Sequence, residues 1–153
     1  MSKVVILFVI AFLSTFVIDQ ELKSIFLSGF RWYGEYFSLI LTYNKGVAFS
    51  MLSFLDEYLK YIQLFLIGSI LVYLVKNRAI FQKYALPAGI IAGAGLSNVY
   101  DRFIHEGVVD YFFWHYGFEF AVFNFADVMI DFGVLMILYT SWKSSKEDKK
   151  LYM

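Results

Sequence analysis

Residues 107–131 read G-V-V-D-Y-F-F-W-H-Y-G-F-E-F-A-V-F-N-F-A-D-V-M-I-D. Two aspartates, Asp110 and Asp127, stand in a run of mostly apolar and aromatic residues. Asp127 opens an apolar segment long enough to enter a membrane. A carboxylate in that position is costly unless protonated or paired, which marks it as a candidate functional residue. Two carboxylates brought together share a proton, leaving one as base and the other as acid. Two readings of the pair are open at this point: such a site, or two solvated loop-end residues.

The composition around this stretch fits a membrane protein. Of 153 residues, 60% are hydrophobic and only 17% charged, with 18 Phe and 12 Tyr. Soluble domains carry charge nearer ~25%, and the mean hydropathy here is +0.64. The length suits a single domain, residues 1–153. A net charge of zero supplies no basic field for nucleic acid. With no Cys there are no disulfides, thiol nucleophiles or thiolate metal sites, and His105 and His115 form no H-E-x-x-H zinc pattern.

Four apolar segments are expected as membrane helices, at about residues 4–18, 58–75, 84–100 and 125–142. The first has features of a signal peptide but lacks a small-x-small cleavage pattern, so a retained helix is expected. Residues 19–57 alternate charged, glycine and aromatic residues without a helical period. There Y-F-S-L-I-L-T-Y reads as a strand and Asn44-Lys45-Gly46 as a turn. This region is expected to be a small sheet on the membrane surface, with Trp32, Tyr33 and Tyr36 at headgroup level; an amphipathic helix is the alternative. The third segment holds Pro87 and the small residues Gly89, Ala92, Gly93 and Gly95, which permit close helix packing in lipid. The tail K-S-S-K-E-D-K-K reads as a solvated basic end.

Eight Lys and Arg, at 3, 76, 78, 83, 143, 146, 149 and 150, fall on one side of this four-span arrangement. Five, at 23, 31, 45, 60 and 102, fall on the other, over longer loops. The denser side is expected to be cytoplasmic, with both termini. Asp19, Asp101, Asp110, Asp127 and the sheet then collect at the outer face.

Five blocks occur in order: D-Q-E-L-K (19–23), N-K-G-V-A-F-S (44–50), G-A-G-L-S-N-V-Y-D-R (93–102), G-V-V-D-Y (107–111) and F-N-F-A-D (123–127). This pattern resembles lipoprotein signal peptidase, the type II signal peptidase of bacteria, over almost the whole chain. The resemblance implies a mainly α integral membrane protein: a four-transmembrane-helix bundle with a small extracytoplasmic β-cradle and a short surface helix. It implies an aspartyl endopeptidase of the bacterial inner membrane. That enzyme removes the signal peptide of a prolipoprotein just before a Cys carrying diacylglycerol. The catalytic pair maps to Asp110 and Asp127. No metal or cofactor is implied; the expected partners are diacylglyceryl-modified prolipoproteins and membrane lipid, and a monomer is expected.

The supporting residues follow from the same blocks. Asn124, three before Asp127, is expected on the same helix face, bonding substrate backbone. Ala126 would leave room beside the scissile bond. Asn98 and Arg102 lie four apart at the outer end of the third span, with Arg102 offering its donor fork to a carboxylate or to substrate carbonyls, or snorkelling to headgroups. Asn44 and Gly46 would position a loop over the substrate, or form an ordinary turn. Asp19 and Lys23 are expected to form an i,i+4 pair joining the first span to the sheet, in a structural or substrate-positioning role. Asp101, beside Arg102, is expected to be paired and structural. Asp131, one turn deeper than Asp127 on the same face, matches no catalytic position of the family; a hydrogen bond across the bundle and tuning of Asp127 by like-charge repulsion are both open.

The chain departs from the family's G-G-x-x-G-N at Ala94 and Ser97. Ser97 invites a rival reading as a serine nucleophile, which needs a nearby base. A proton-coupled transporter subunit and a non-catalytic assembly factor are the other classes that intramembrane acids allow.

Overall fold

A computed structural model describes residues 2–46, 53–105 and 107–151. Its long helices are α1 (Lys3–Leu27), α2 (Asp56–Lys76), α3 (Arg78–Ile104) and α4 (Phe125–Leu151). Its strands are β1 (Trp32–Tyr33), β2 (Phe37–Asn44) and β3 (Val108–Trp114). A one-turn 3-10 helix at Ser53–Leu55 leads into α2.

The helices run longer than the apolar segments suggest. α1 starts at Ser2, whose Oγ accepts from the Val5 N–H at 3.4 Å, and does not end at Asp19. The following Q-E-L-K-S-I-F-L contains no helix breaker, so the helix continues to Ser28 and Gly29, where φ of +107° turns the chain. Asp19 and Lys23 are therefore helical, although they lie in the 19–57 region expected to form the sheet. α2 and α3 are separated only by Asn77. α3 bends at Tyr84 (φ −118°, ψ 15°), three residues before Pro87, whose ring and missing N–H disturb the preceding turn. The basic tail is also helical, as the last turns of α4.

α3 is the central helix. It packs against α1, α2 and α4, while α2 and α4 lie on it rather than on each other. Close approach to α1 requires small residues: a Cβ on Gly89 or Gly93 would strike the carbonyls of Phe8 and Phe12. α1, Glu57–Lys76 of α2 and Phe125–Glu147 of α4 are long and apolar enough to cross a membrane. Ile10, Phe65, Val75 and Leu135 on them are more than half exposed, as lipid-facing residues are. α3 does not meet that standard, and much of it between Ala85 and Arg102 is buried against its neighbours.

The sheet has the order β1-β2-β3, antiparallel throughout, with a register shift between Leu39 and Thr42. β1 and β2 lie in the region expected to form a sheet; β3, the run V-V-D-Y-F-F-W, is a strand that the sequence reading left unassigned. Thr42 pairs with Asp110. Because β1 follows α1, β2 precedes α2 and β3 links α3 to α4, the sheet sits across one end of the bundle. That end is where α4 begins. Trp32, Tyr33 and Tyr36 are exposed there.

Candidate active site

Asp127 is held by the way α4 starts. The first N–H groups of a helix have no intrahelical partner and need acceptors from elsewhere. Here Phe125 N donates to the Tyr111 hydroxyl at 3.0 Å, Ala126 N to Asp19 Oδ1 at 2.8 Å, and Asp127 N to Asn124 Oδ1 at 2.9 Å. Asp127 Oδ2 accepts in return from the Asn124 N–H at 3.1 Å, a reciprocal cap. Three elements thus fix one turn: β3 through Tyr111, α1 through Asp19, and the local cap. Tyr111 is itself stacked on Phe26 of α1, with centroids 4.1 Å apart and planes 7° apart. Burial pushes its phenol up, so it stays neutral.

Asp110 reaches the same place from β3 and is 1% exposed. Asn124 Nδ2 donates to its Oδ1 at 2.7 Å, and Asn44 Nδ2 to its Oδ2 at 3.1 Å. Asn98 Nδ2 donates to Asp127 Oδ1 at 3.0 Å. Asn124 therefore bridges the two acids: its amide serves Asp110 while its backbone and Oδ1 serve Asp127. Burial first, and then the neighbouring Asp127 charge, push the Asp110 carboxyl up to about 7.

Behind the acids lies a closed cluster of charges. Lys23, Asp19 and Asp101 are each 0% exposed. Lys23 Nζ lies 2.5 Å from Asp19 Oδ2 and 2.7 Å from Asp101 Oδ2, and donates to Asn98 Oδ1 at 2.8 Å. All three ammonium protons have acceptors. Lys23, a donor only, compels Asn98 to present its oxygen, so the Asn98 amide nitrogen must face Asp127. Ser97 Oγ donates to Asp19 Oδ2 at 2.6 Å and accepts from Gln20 Nε2 at 2.8 Å; Gln20 also reaches Asp101 Oδ1 at 2.8 Å. The second oxygen of Asp101 accepts from Val109 N at 3.0 Å, tying α3 to β3 next to Asp110.

A cavity of about 630 Å³ opens in front of the acids. Asp110, Asp127, Asn98, Asn44, Gly46 and Arg102 line it, with Val108, the 120–123 loop, Val128, Ile130 and Asp131 of α4, and Gln63 of α2. Among the described residues, no group of three or more His, Cys, Asp or Glu is placed to hold a metal ion.

The sequence-assigned residues thus separate into two sets. Asp110, Asp127, Asn44, Gly46, Asn98 and Arg102 meet at the cavity. Asp19, Lys23, Asn124 and Ala126 stand behind it. Asn124 is not on the helix face: it caps α4 and is 1% exposed, with its amide shared among Asp110, Asn98 Oδ1 and Val109 O. Ala126 is 0% exposed, so its small size serves packing rather than space for a ligand. Arg102 is 7% exposed and donates to the carbonyls of Asn44, Lys45 and Gly46, which excludes snorkelling; its fork holds the turn. Asp101 is paired as expected, but with Lys23 rather than its neighbour Arg102, because adjacent helical residues face different directions. Ser97 is 0% exposed, bonded to Asp19 and Gln20, while His115 pairs with Ser38 at 2.9 Å. Of the N-K-G-V-A-F-S block, residues 47–50 lie outside the described residues. Sequence reasoning missed Gln20, Gln63 and Tyr111. Gln63 had a legible signal, a lone amide in an apolar span.

Known proteins share this architecture. A bacterial membrane enzyme solved by the in meso method matches with a TM-score of 0.77 at 22% identity, over 92% of this chain and 90% of that one. A second bacterial membrane enzyme gives a TM-score of 0.67 at 20% identity, over 86% and 90%. A Wolinella succinogenes protein named lipoprotein signal peptidase is 54% identical over 88% of this chain and 92% of its own length. Proteins of the same name from Campylobacter jejuni (50% identical, 92% and 91% covered) and Helicobacter pylori (46%, 98% and 96%) are also similar. The class is therefore a membrane-embedded peptidase. The family model described as signal peptidase (SPase) II matches residues 6–143, and the chain belongs to that family.

Proposed function

We propose that Asp110 and Asp127 are the catalytic pair with which this peptidase removes signal peptides from prolipoproteins. The observation that carries the reading is the bridge through Asn124, which orients both carboxylates toward one cavity. With its proton held up to about 7, Asp110 serves as the acid at neutral pH, and Asp127 as the base. Asp127 takes a proton from a water as the water oxygen attacks the scissile carbonyl carbon, and Asp110 gives its proton to the carbonyl oxygen. The tetrahedral intermediate then returns that proton to Asp110. The C–N bond breaks as Asp127 protonates the leaving amine. Asn44, Asn98 and Asn124 orient the acids; Arg102 holds the 44–46 turn as a cover over the cavity mouth. Asp19 and Lys23 position the site from behind. The bond cleaved precedes the diacylglyceryl-modified Cys, and the lipid lies at the bilayer surface beside the sheet.

The enzyme resides in the bacterial inner membrane as a monomer with four spans, α3 being the shielded one. Both termini are cytoplasmic and the sheet is outside, which the Lys and Arg distribution favours. Cleavage of a diacylated prolipoprotein by Asp110→Asn and Asp127→Asn tests the assignment; near-normal turnover by either, in folded protein, overturns it. Because the chain has no Cys, single cysteines at Ser144 and Tyr36 test the topology by labelling, which is expected on opposite sides.

A further inference from the structure

The cavity contains two polar side chains that neither the acid pair nor its supports use. Gln63 faces it from α2 and Asp131 from α4. The Gln63 side-chain oxygen is buried and has no hydrogen-bond partner among the described residues. Asp131 makes no hydrogen bond or ion pair among them either, and its side chain is exposed at the cavity wall. Both lie inside segments apolar and long enough to cross a membrane. The buried charges around Lys23, by contrast, are closely satisfied. An acceptor without a donor in an apolar setting is unfavourable, so a pair of them facing one cavity points to a donor that arrives from outside.

A substrate supplies such donors. A peptide bond inside a helix is closed to attack, so an apolar segment must leave its helix near the bond to be cleaved. Its backbone N–H groups then lose their partners where no water replaces them. Gln63 lines the cavity from α2 and Asp131 from α4, two helices that pack on α3 rather than closely on each other. Asp131 is four residues deeper than Asp127, about 6 Å along the helix. An extended chain covers that in about two residues at ~3.3 Å each.

Resting on the peptidase reading above, we propose that Gln63 and Asp131 form an acceptor station for the substrate backbone. They take the N–H groups freed about two residues before the cleaved bond, on its membrane side. The station holds the extended conformation that presents the bond to Asp110 and Asp127. It reads backbone rather than side chains, which suits substrates of varied sequence.

The test uses the full-length enzyme in micelles with a diacylated lipopeptide. The substrate carries either all amides or one ester replacing the amide at the second or third residue before the cleaved bond. An ester keeps the shape and removes the N–H. With wild type, the better-placed ester should lower kcat/KM about tenfold, the scale of one lost hydrogen bond. Gln63→Met and Asp131→Leu should each slow the all-amide substrate about tenfold, and Asp131→Asn, which keeps a carbonyl oxygen, less. For at least one of the two variants the ester should bring no further loss. Equal rates for ester and amide with wild type overturn the station even if both variants fail to fold. Ester and variant losses that multiply for both variants also overturn it, since a structural role alone gives that result. Failure of the peptidase reading is distinct: Asp110→Asn and Asp127→Asn would then cleave all-amide substrate normally.

Discussion

The two sides of the acid pair are built differently. Behind it, Lys23, Asp19, Asp101, Ser97 and Gln20 form a closed network from α1 and α3, with three full charges at 0% exposure and every ammonium proton accepted. In front of it, Gln63 and Asp131 face an open cavity without partners among the described residues. Asp110 and Asp127 stand at the boundary, each receiving amide donors from the closed side. Polar groups thus have two uses here. Satisfied groups set the geometry of a site; unsatisfied ones facing a cavity are left for a ligand. Substitutions behind the acids should therefore lower stability, and those in front should lower cleavage alone.

The largest effect tests the boundary itself. Asp110→Asn and Asp127→Asn should each reduce turnover of a diacylated prolipoprotein by roughly 10²–10⁴-fold, the usual contribution of acid–base catalysis. The amide is nearly isosteric but cannot take the base role or supply a carboxyl proton. The double substitution should be little worse than either, since the two act as a unit. Additive losses would separate the acids and dissolve the boundary.

Lys23→Met breaks the closed side. It leaves Asp19 and Asp101 buried without a cation, and breaking a buried pair costs about 3–5 kcal/mol. Thermal unfolding in detergent should show a marked loss, whereas Gln63→Met should leave the transition unchanged. Equal shifts in both would erase the distinction between the two sides.

The pH dependence of stability sharpens it. Burial and Asp127 lift the Asp110 carboxyl from 3.8 to about 7. The folded protein thus binds this proton more tightly than the unfolded chain does. The resulting stabilisation is complete below the ordinary value and is lost as pH rises through about 7. Unfolding midpoints should fall between about pH 4 and 7, and Asp110→Asn should flatten that slope. A wild-type profile that rises over this window would contradict the assignment of the proton to Asp110.

Ser97→Ala is the smallest test. Asp19 loses a donor and Gln20 an acceptor, but both keep other partners. A stability loss of about 1–2 kcal/mol with cleavage retained is expected. Loss of cleavage in folded protein would revive a catalytic role for the serine.

The sequence by itself determined the apolar segments, the Tyr36–Tyr43 strand pattern, the Asp19–Lys23 pair and the gathering of acids near one end of the bundle. These follow from composition, periodicity and i,i+4 spacing, all local properties, and the ordered blocks pointed to the family. Tertiary structure decided how the parts are used. The choice of Lys23 rather than Arg102 as the partner of Asp101 depends on how α1 and α3 pack across glycines. Asn124 as a cap, Ala126 as packing and Arg102 as the clamp of a turn depend on partners up to 107 residues away, such as Asp19 at Ala126. β3 escaped notice because an aromatic run carrying a carboxylate has no strand alternation of its own; β2 pairs with it and makes it a strand. No local pattern records which distant group meets a side chain. In a bundle of four helices and a sheet, that is settled only when the elements close on one another.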